Sequence, residues 1–150
     1  MAGNSIKGRR RGFHAERELV QKLWKMGFAV IRGPASGAKI KSGIYPDVVA
    51  IKDGKIFVFE VKERKDIASI YVDKRQVEKI KEFAIRAGGE ALIAVKIASV
   101  KSWKVINIDS LVDFNGSKFK IPKDAIESAE DLFNYLTKKI TKTLDNYVIR

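Results

Sequence analysis

The chain has 150 residues, with 30 Lys and Arg against 18 Asp and Glu, a formal charge of +12, one histidine and no cysteine. That length suits one domain with a real core; no apolar run approaches the roughly 18 residues of a membrane span, and no signal peptide precedes the basic start, so a soluble intracellular protein without membrane contact is expected. Disulfides and thiolate metal sites are excluded and a histidine-built zinc site is disfavoured, so any metal must be held by oxygen.

The excess of positive charge attracts polyanions, nucleic acid first among them. A Lys- and Glu-rich composition with few Gln and Met also fits a thermophile origin. That origin accounts for many charges of both signs, but not for an excess of one.

In chain order, residues 1–12 are expected to be a flexible basic arm, since "NSIKGRRRG" concentrates Lys7, Arg9, Arg10 and Arg11. Such a run is either a solvated tail or a phosphate-binding arm. From Phe13 to Met26 the apolar residues Leu19, Val20, Leu23 and Trp24 recur at helical spacing, and Gly27 supplies the stop. At 100° per residue their mean direction falls within roughly 10° of Glu16, whereas Glu18 points nearly away. Glu16 is thereby expected to look at the sheet. An acid near a helix start can also merely complement the helix dipole.

"FAVIR" reads as a short strand, and "GPASGAKIKSG" as a loop carrying Ser36, Lys39 and Lys41. Next, "YPDVVAIKDGKIFVFEVKERK" places two apolar runs around Asp53-Gly54, the strongest short signal for a hairpin, because both central residues of a type I′ turn need positive φ. A two-residue turn pairs Lys52 with Lys55, Val49 with Val58 and Asp47 with Glu60. Direct cross-strand neighbours have Cβ atoms roughly 5 Å apart, so the two carboxylates should repel. The period of two puts Val58, Glu60 and Lys62 on one face and Phe57, Phe59 and Val61 on the other. Lys62 could simply neutralise the acids. Two acids and one lysine still leave an uncompensated charge on a half-buried sheet, which favours a divalent cation between them.

Beyond the hairpin, Asp73 is expected to cap a helix running to Ala87, with Val77, Ile80, Ala84 and Ala87 inward and Gly88-Gly89 ending it. "EALIAVKI" and "WKVINI" read as strands. "SAEDLFNYLTKKITKTLDN" begins as a Ser-x-x-Asp capping box and continues through Leu132, Leu136, Ile140 and Leu144 as a last helix. The expected architecture is one α/β domain over residues 1–150, a central mixed sheet flanked by helices.

Pro46-Asp47 followed by Glu60-Val61-Lys62 on the next strand is the PD-(D/E)xK nuclease signature in residue type and spacing. Together with "GFHAERELV", "GFAVIRGPASG", "YVDKRQVEKIKEFAIRAGG" and "KTLDNYV", it resembles the archaeal Holliday junction resolvase family, of the Hjc type, over nearly the whole chain. The resemblance implies a restriction-endonuclease-like domain that resolves four-way DNA junctions as a homodimer with Mg²⁺, for which Mn²⁺ can substitute. It further implies that Asp47, Glu60 and the Val61 carbonyl bind the metal with Glu16 as a third acid. Lys62 would orient or deprotonate the attacking water, and Ser36 would lie near the scissile phosphate.

Arg17 and Arg32 match basic positions that bind or cleave the junction, and Gln76 a polar helix residue beside the site. Arg9, Arg10, Arg11, Lys39, Lys41, Arg64 and Lys65 join them as DNA-binding candidates on charge. Ser36 as a turn residue and Gln76 as a solvated helix residue are the plainer readings. A flap, end or restriction-type nuclease keeps the same site, while an inactive DNA-binding module is the rival class. Against that rival stand all three acids and Lys62. No base-reading motif is visible, which favours recognition of shape and phosphates. The last helix offers an element on which a replication clamp or helicase could dock, though nothing in its residues requires one.

Overall fold

The computed structural model describes residues 2–34 and 43–148, the stretches 2–13 and 142–148 as backbone only. Ser36, Lys39, Lys41 and the loop that carries them lie outside the described residues. The elements are α1 (Ala2–Lys25), β1 (Ala29–Arg32), β2 (Val48–Lys52), β3 (Lys55–Arg64), β4 (Ile70–Asp73), α2 (Lys74–Ala87), β5 (Glu90–Ile97), β6 (Ser102–Asn107), β7 (Val112–Asp113), β8 (Lys118–Ile121), α3 (Lys123–Ser128) and α4 (Leu132–Val148). One sheet has five strands in the order β1-β2-β3-β5-β6, and a smaller one has three in the order β4-β8-β7. β3 and β5 run parallel while the other pairs are antiparallel. This is the expected α/β fold with a mixed central sheet.

The alternation along β3 divides the core. Phe57 and Phe59 face Leu19 and Leu23 of α1 and Leu132 and Leu136 of α4. Val58 faces Val77 and Ile80 of α2, together with Ile70, Val72 and Ile121 of the small sheet. Burying a side chain of this size contributes about 1.5–3 kcal/mol, so both faces are strongly specified and a one-residue slip of β3 would exchange them. The turn forms as expected: Asp53 and Gly54 have φ of 51° and 77°, and Lys52 pairs with Lys55 and Val49 with Val58.

Several local expectations are corrected. The segment read as a flexible arm is the beginning of α1, which runs back to Ala2; Lys and Arg are good helix formers, and no proline interrupts them. Trp24 leaves the apolar stripe and is 68% exposed, while Ala15 replaces it in the core. Asp73 occupies the N-cap position of α2 but caps nothing, because its carboxylate is held by Lys118 at 2.6 Å. Ser128 ends α3 rather than opening α4; Asp131 caps α4, accepting the Asn134 N–H at 3.0 Å.

Candidate active site

β3 is ten residues long and β2 five. Their ladder stops at Val48 opposite Phe59, so the far end of β3 projects beyond its partner and its next inward N–H groups seek other acceptors. Asp47 fills that gap from the bend before β2. Its N–H donates to the Phe59 carbonyl at 3.1 Å, and its carbonyl accepts the Gly33 N–H at 2.8 Å. Its side-chain Oδ2 accepts the Val61 N–H at 2.8 Å. Gly33 is needed for this approach, since a Cβ there would lie 2.0 Å from the Pro46 carbonyl oxygen. Asp47 is thus held by main chain on both sides before any ligand binds.

Glu60 follows on β3 and is only 3% exposed. Lys62 Nζ stands 3.8 Å from its Oε1 and donates to Gln76 Oε1 at 3.1 Å. Glu60 Oε2 is buried with no hydrogen-bond partner. The neighbouring Asp47 carboxylate can bond it only if one of the two carries a proton. Burial first, and then the Asp47 charge, push Glu60 up to about 8 against the pull of Lys62 and Lys79.

Glu16 reaches Asp47 from α1, on the opposite face of the sheet. Burial and the Asp47 charge push it up to about 7, and Arg32 Nε lies 3.6 Å from its Oε2. The acids therefore form a row, Glu16 to Asp47 to Glu60, with Asp47 in the middle. Among the described residues no group of three or more His, Cys, Asp or Glu side chains is arranged to hold a metal ion, although Glu16 and Glu60 both approach Asp47 as expected.

Of the other expected site residues, Gln76 is joined to Lys62, and Arg32 to Glu16. Arg17, Arg64 and Lys65 are exposed, and Arg64 Nη1 donates to the Glu63 carbonyl at 2.7 Å. Arg9, Arg10 and Arg11 lie in helical backbone whose side chains are not described. Two contributors escaped the sequence reading. Lys79, near enough to act on Glu60, lies three positions after Gln76 on the same helical face, a spacing that would have found it. Gly33 orders Asp47 through its backbone, which no residue pattern reveals. Glu18 was expected to point away, yet it reaches β5 and pairs with Lys96 at 2.5 Å.

The donor set fits a divalent metal. A carboxylate held rigid by main chain stands beside a buried one with an orphaned oxygen, both hard oxygen donors. Asp47 and Glu60 are the residues that would hold the ion.

Comparison with known proteins identifies the family. A sequence model of the family described as archaeal Holliday junction resolvase (Hjc) matches residues 7–143. The chain is 43% identical to the crossover junction endodeoxyribonuclease Hjc of Sulfurisphaera tokodaii, over 92% of this chain and 96% of that protein. It is 42% identical to the protein of the same name from Sulfolobus acidocaldarius, with the same coverage. Among solved structures, Hjc of Archaeoglobus fulgidus, a Holliday junction resolvase, superimposes with a TM-score of 0.70 at 29% identity, covering 83% of this chain and 94% of that one. The bacterial homing endonuclease I-Ssp6803I superimposes with a TM-score of 0.50 at 17% identity, covering 89% and 94%, and shares the fold alone. The rigid Asp47, the buried Glu60 and the lysine beside it thus lie in a chain matched along nearly its full length, and that chain belongs to the archaeal Holliday junction resolvase family.

Proposed function

We propose that this endonuclease of crossover junctions hydrolyses the DNA backbone with Mg²⁺ or Mn²⁺ at Asp47 and Glu60, and that it works as a homodimer on four-way junctions. The observation that carries the metal reading is the buried Glu60, one oxygen of which has no donor. An uncompensated buried carboxylate costs several kcal/mol unless it is protonated or meets a cation, roughly as for any isolated buried ion.

A bound divalent ion would polarise the phosphoryl oxygen and lower the pKa of its water. The chain's own groups do the rest. Asp47 is kept in place by the Val61, Phe59 and Gly33 main chain, so no rotamer entropy is lost when the substrate arrives. Lys62, positioned by Gln76, presents positive charge where a pentavalent phosphorus accumulates negative charge, and can orient the water that attacks it. Glu16 supports Asp47 from behind, with Arg32 at its flank. Arg17, Arg64 and Lys65 are exposed and would meet phosphates on either side of the cut. Ser36, Lys39, Lys41, Arg9, Arg10 and Arg11 would extend that contact.

Two-fold assembly is supported by the substrate. A four-way junction has two-fold backbone symmetry, resolution needs two cuts, and each chain carries one Asp47–Glu60–Lys62 group. A closed isologous dimer is the commonest way to present two. An apolar cleft of about 580 Å³ lined by Ile44 and Phe83 opens beside α2 and offers a face for such a contact.

The test is a panel of labelled four-way junction, flap, linear duplex and single-stranded DNAs, each with EDTA, Mg²⁺ and Ca²⁺. Paired nicks in the junction with Mg²⁺, none with EDTA, and binding without turnover with Ca²⁺ are the expected results. Full cleavage in EDTA overturns the metal assignment. Mixed dimers of parent and Asp47→Asn chains should nick one strand without resolving the junction. Full resolution by such mixtures removes the paired-site model.

A further inference from the structure

The small sheet has an outer face that the core does not use. Along β4, Ile70 and Val72 are fully buried, whereas Tyr71 between them is 42% exposed. Its neighbour across the ladder is Lys120, which in turn pairs with Val112. Val112 is 49% exposed and Phe114 53%. The Tyr71 and Phe114 rings meet with centroids 4.7 Å apart and planes tilted by 55°, and both residues remain partly exposed. Single exposed apolar residues need no explanation, but three on one face, interleaved with Lys118 and Lys120, make a patch.

This patch adjoins the catalytic group. Tyr71 lies two residues, roughly 7 Å along an extended strand, from Asp73. Asp73 is held by Lys118 at 2.6 Å, stands at the start of α2, and lies within reach of the Lys62 charge. The first turn of α2 carries Gln76, the partner of Lys62.

Resting on the junction-endonuclease reading, we propose that Tyr71 and Phe114 form a stacking platform for an unpaired base of the branched DNA, beside the cleavage site, with Lys118 and Lys120 holding the adjoining phosphates. Aromatic rings accept any base by its π-face, while interleaved lysines track the backbone without reading sequence. At the branch point each terminal base pair can lose a stacking neighbour, so a base there is the cheapest in the molecule to take out of its helix. A linear duplex offers no such base away from its ends, which the duplex control closes with hairpin loops. The platform therefore supplies selectivity for branched over linear DNA from a feature that contacts no base edge.

The experiment measures binding of the full-length chain, without divalent cation, to a four-way junction carrying 2-aminopurine either at the branch point or in mid-arm, and to a linear duplex. The parent should change the fluorescence of the branch-point label only. Tyr71→Ala with Phe114→Ala should lose that change and weaken junction affinity by about tenfold or more, with duplex affinity unchanged; Tyr71→Phe with Phe114→Tyr should behave as the parent. Near-ultraviolet circular dichroism checks folding, and Tyr71→Leu with Phe114→Leu, which keeps apolar volume without a π-face, replaces the alanine pair should that pair not fold.

An alanine or leucine pair that binds junctions and shifts the label like the parent overturns the platform alone. Equal losses on junction and duplex also overturn it. A changed sedimentation state without DNA shows the patch to be a contact between copies of the chain and overturns it as well. Failure of the parent itself to bind junctions overturns the platform and the junction reading together.

Discussion

Both faces of the central sheet carry two carboxylates and a lysine near the end of β3, and only one of the groups is buried from water. On the α2 face, Lys62 stands 3.8 Å from Glu60 and is turned toward Gln76. On the α1 face, Lys96 closes directly on Glu18 at 2.5 Å, with Glu63 its neighbour in register on β3. The formal charge is the same, so counting charges cannot separate the two. The Glu18 side chain keeps 35% of its surface in water, against 4% for Glu60. The Glu18–Lys96 pair is at contact distance and partly solvated, although Glu18 Oε2 and Glu63 Oε2, like Glu60 Oε2, have no hydrogen-bond partner. What separates the two groups is burial and the lysine: Glu60 is almost wholly removed from water, and Lys62 is shared with the Gln76 amide.

The most severe way to break this comparison is Asp47→Asn, which keeps size and main-chain contacts but removes a metal-holding charge. Cleavage should fall on the order of a thousandfold with junction binding kept, while Glu18→Gln should leave cleavage rates at the parent value. Equal losses from both variants in a single-turnover assay would erase the distinction between the faces.

Next in size are the lysines. Lys62→Met should slow cleavage about a hundredfold, as expected for one stabilising group at a transition state. Lys96→Met should spare cleavage and cost about 1 kcal/mol of stability in urea unfolding. A catalytic defect in the second variant would show that the α1 face takes part.

The pH dependence of stability sharpens the contrast without any assay of activity. In metal-free protein Glu60 is pushed up to about 8 and Glu16 to about 7, while in the unfolded chain both release their protons near the ordinary carboxylate value. The folded state therefore binds more protons through the intervening range. The stabilisation is complete below the unfolded value and is lost as pH rises through 7 and 8. The melting temperature without metal should drop by several degrees between about pH 5 and pH 9. Glu60→Gln should flatten that drop and Glu18→Gln should not; added Mg²⁺ should raise melting more at the alkaline end. A slope indifferent to Glu60→Gln would mean that the burial of this acid has been misjudged.

The smallest expected effect is the coupling of Glu18 to Lys96. A double-mutant cycle should return about 0.5 kcal/mol, ordinary for a partly solvated pair. A coupling several times larger would place the α1-face group closer to the buried kind.

How far the site could be read from residues alone differs from element to element. Asp47, Glu60 and Lys62 were legible because a two-residue turn sets the register of everything that follows it, and the observed pairing keeps that register to Val48 and Phe59. The small sheet was not legible. β7 has two residues, and β4 and β8 have four each, with lysine at alternate positions of β8, so no period accumulates to distinguish them from loop. Glu16 and Glu18 were separated by a helical direction that included Trp24, which the fold leaves exposed. Glu16 kept its expected place near Asp47, but Glu18 reached Lys96 because a strand two positions away in the sheet brings that lysine under the helix.

The sequence by itself determined the hairpin, the two carboxylates and lysine on it, the absence of any thiolate ligand and the basic charge that suits DNA, since turn chemistry, side-chain alternation and composition act over a few residues or need no coordinates. Only the tertiary structure decided that Asp47 stands between Glu16 and Glu60, that Gly33 clamps Asp47, that Gln76 draws on Lys62 and that Tyr71 and Phe114 meet. Each of those depends on segments far apart in the chain being brought together by the two cores, and burial, which separates Glu60 from Glu18, exists only once both faces of the sheet are covered.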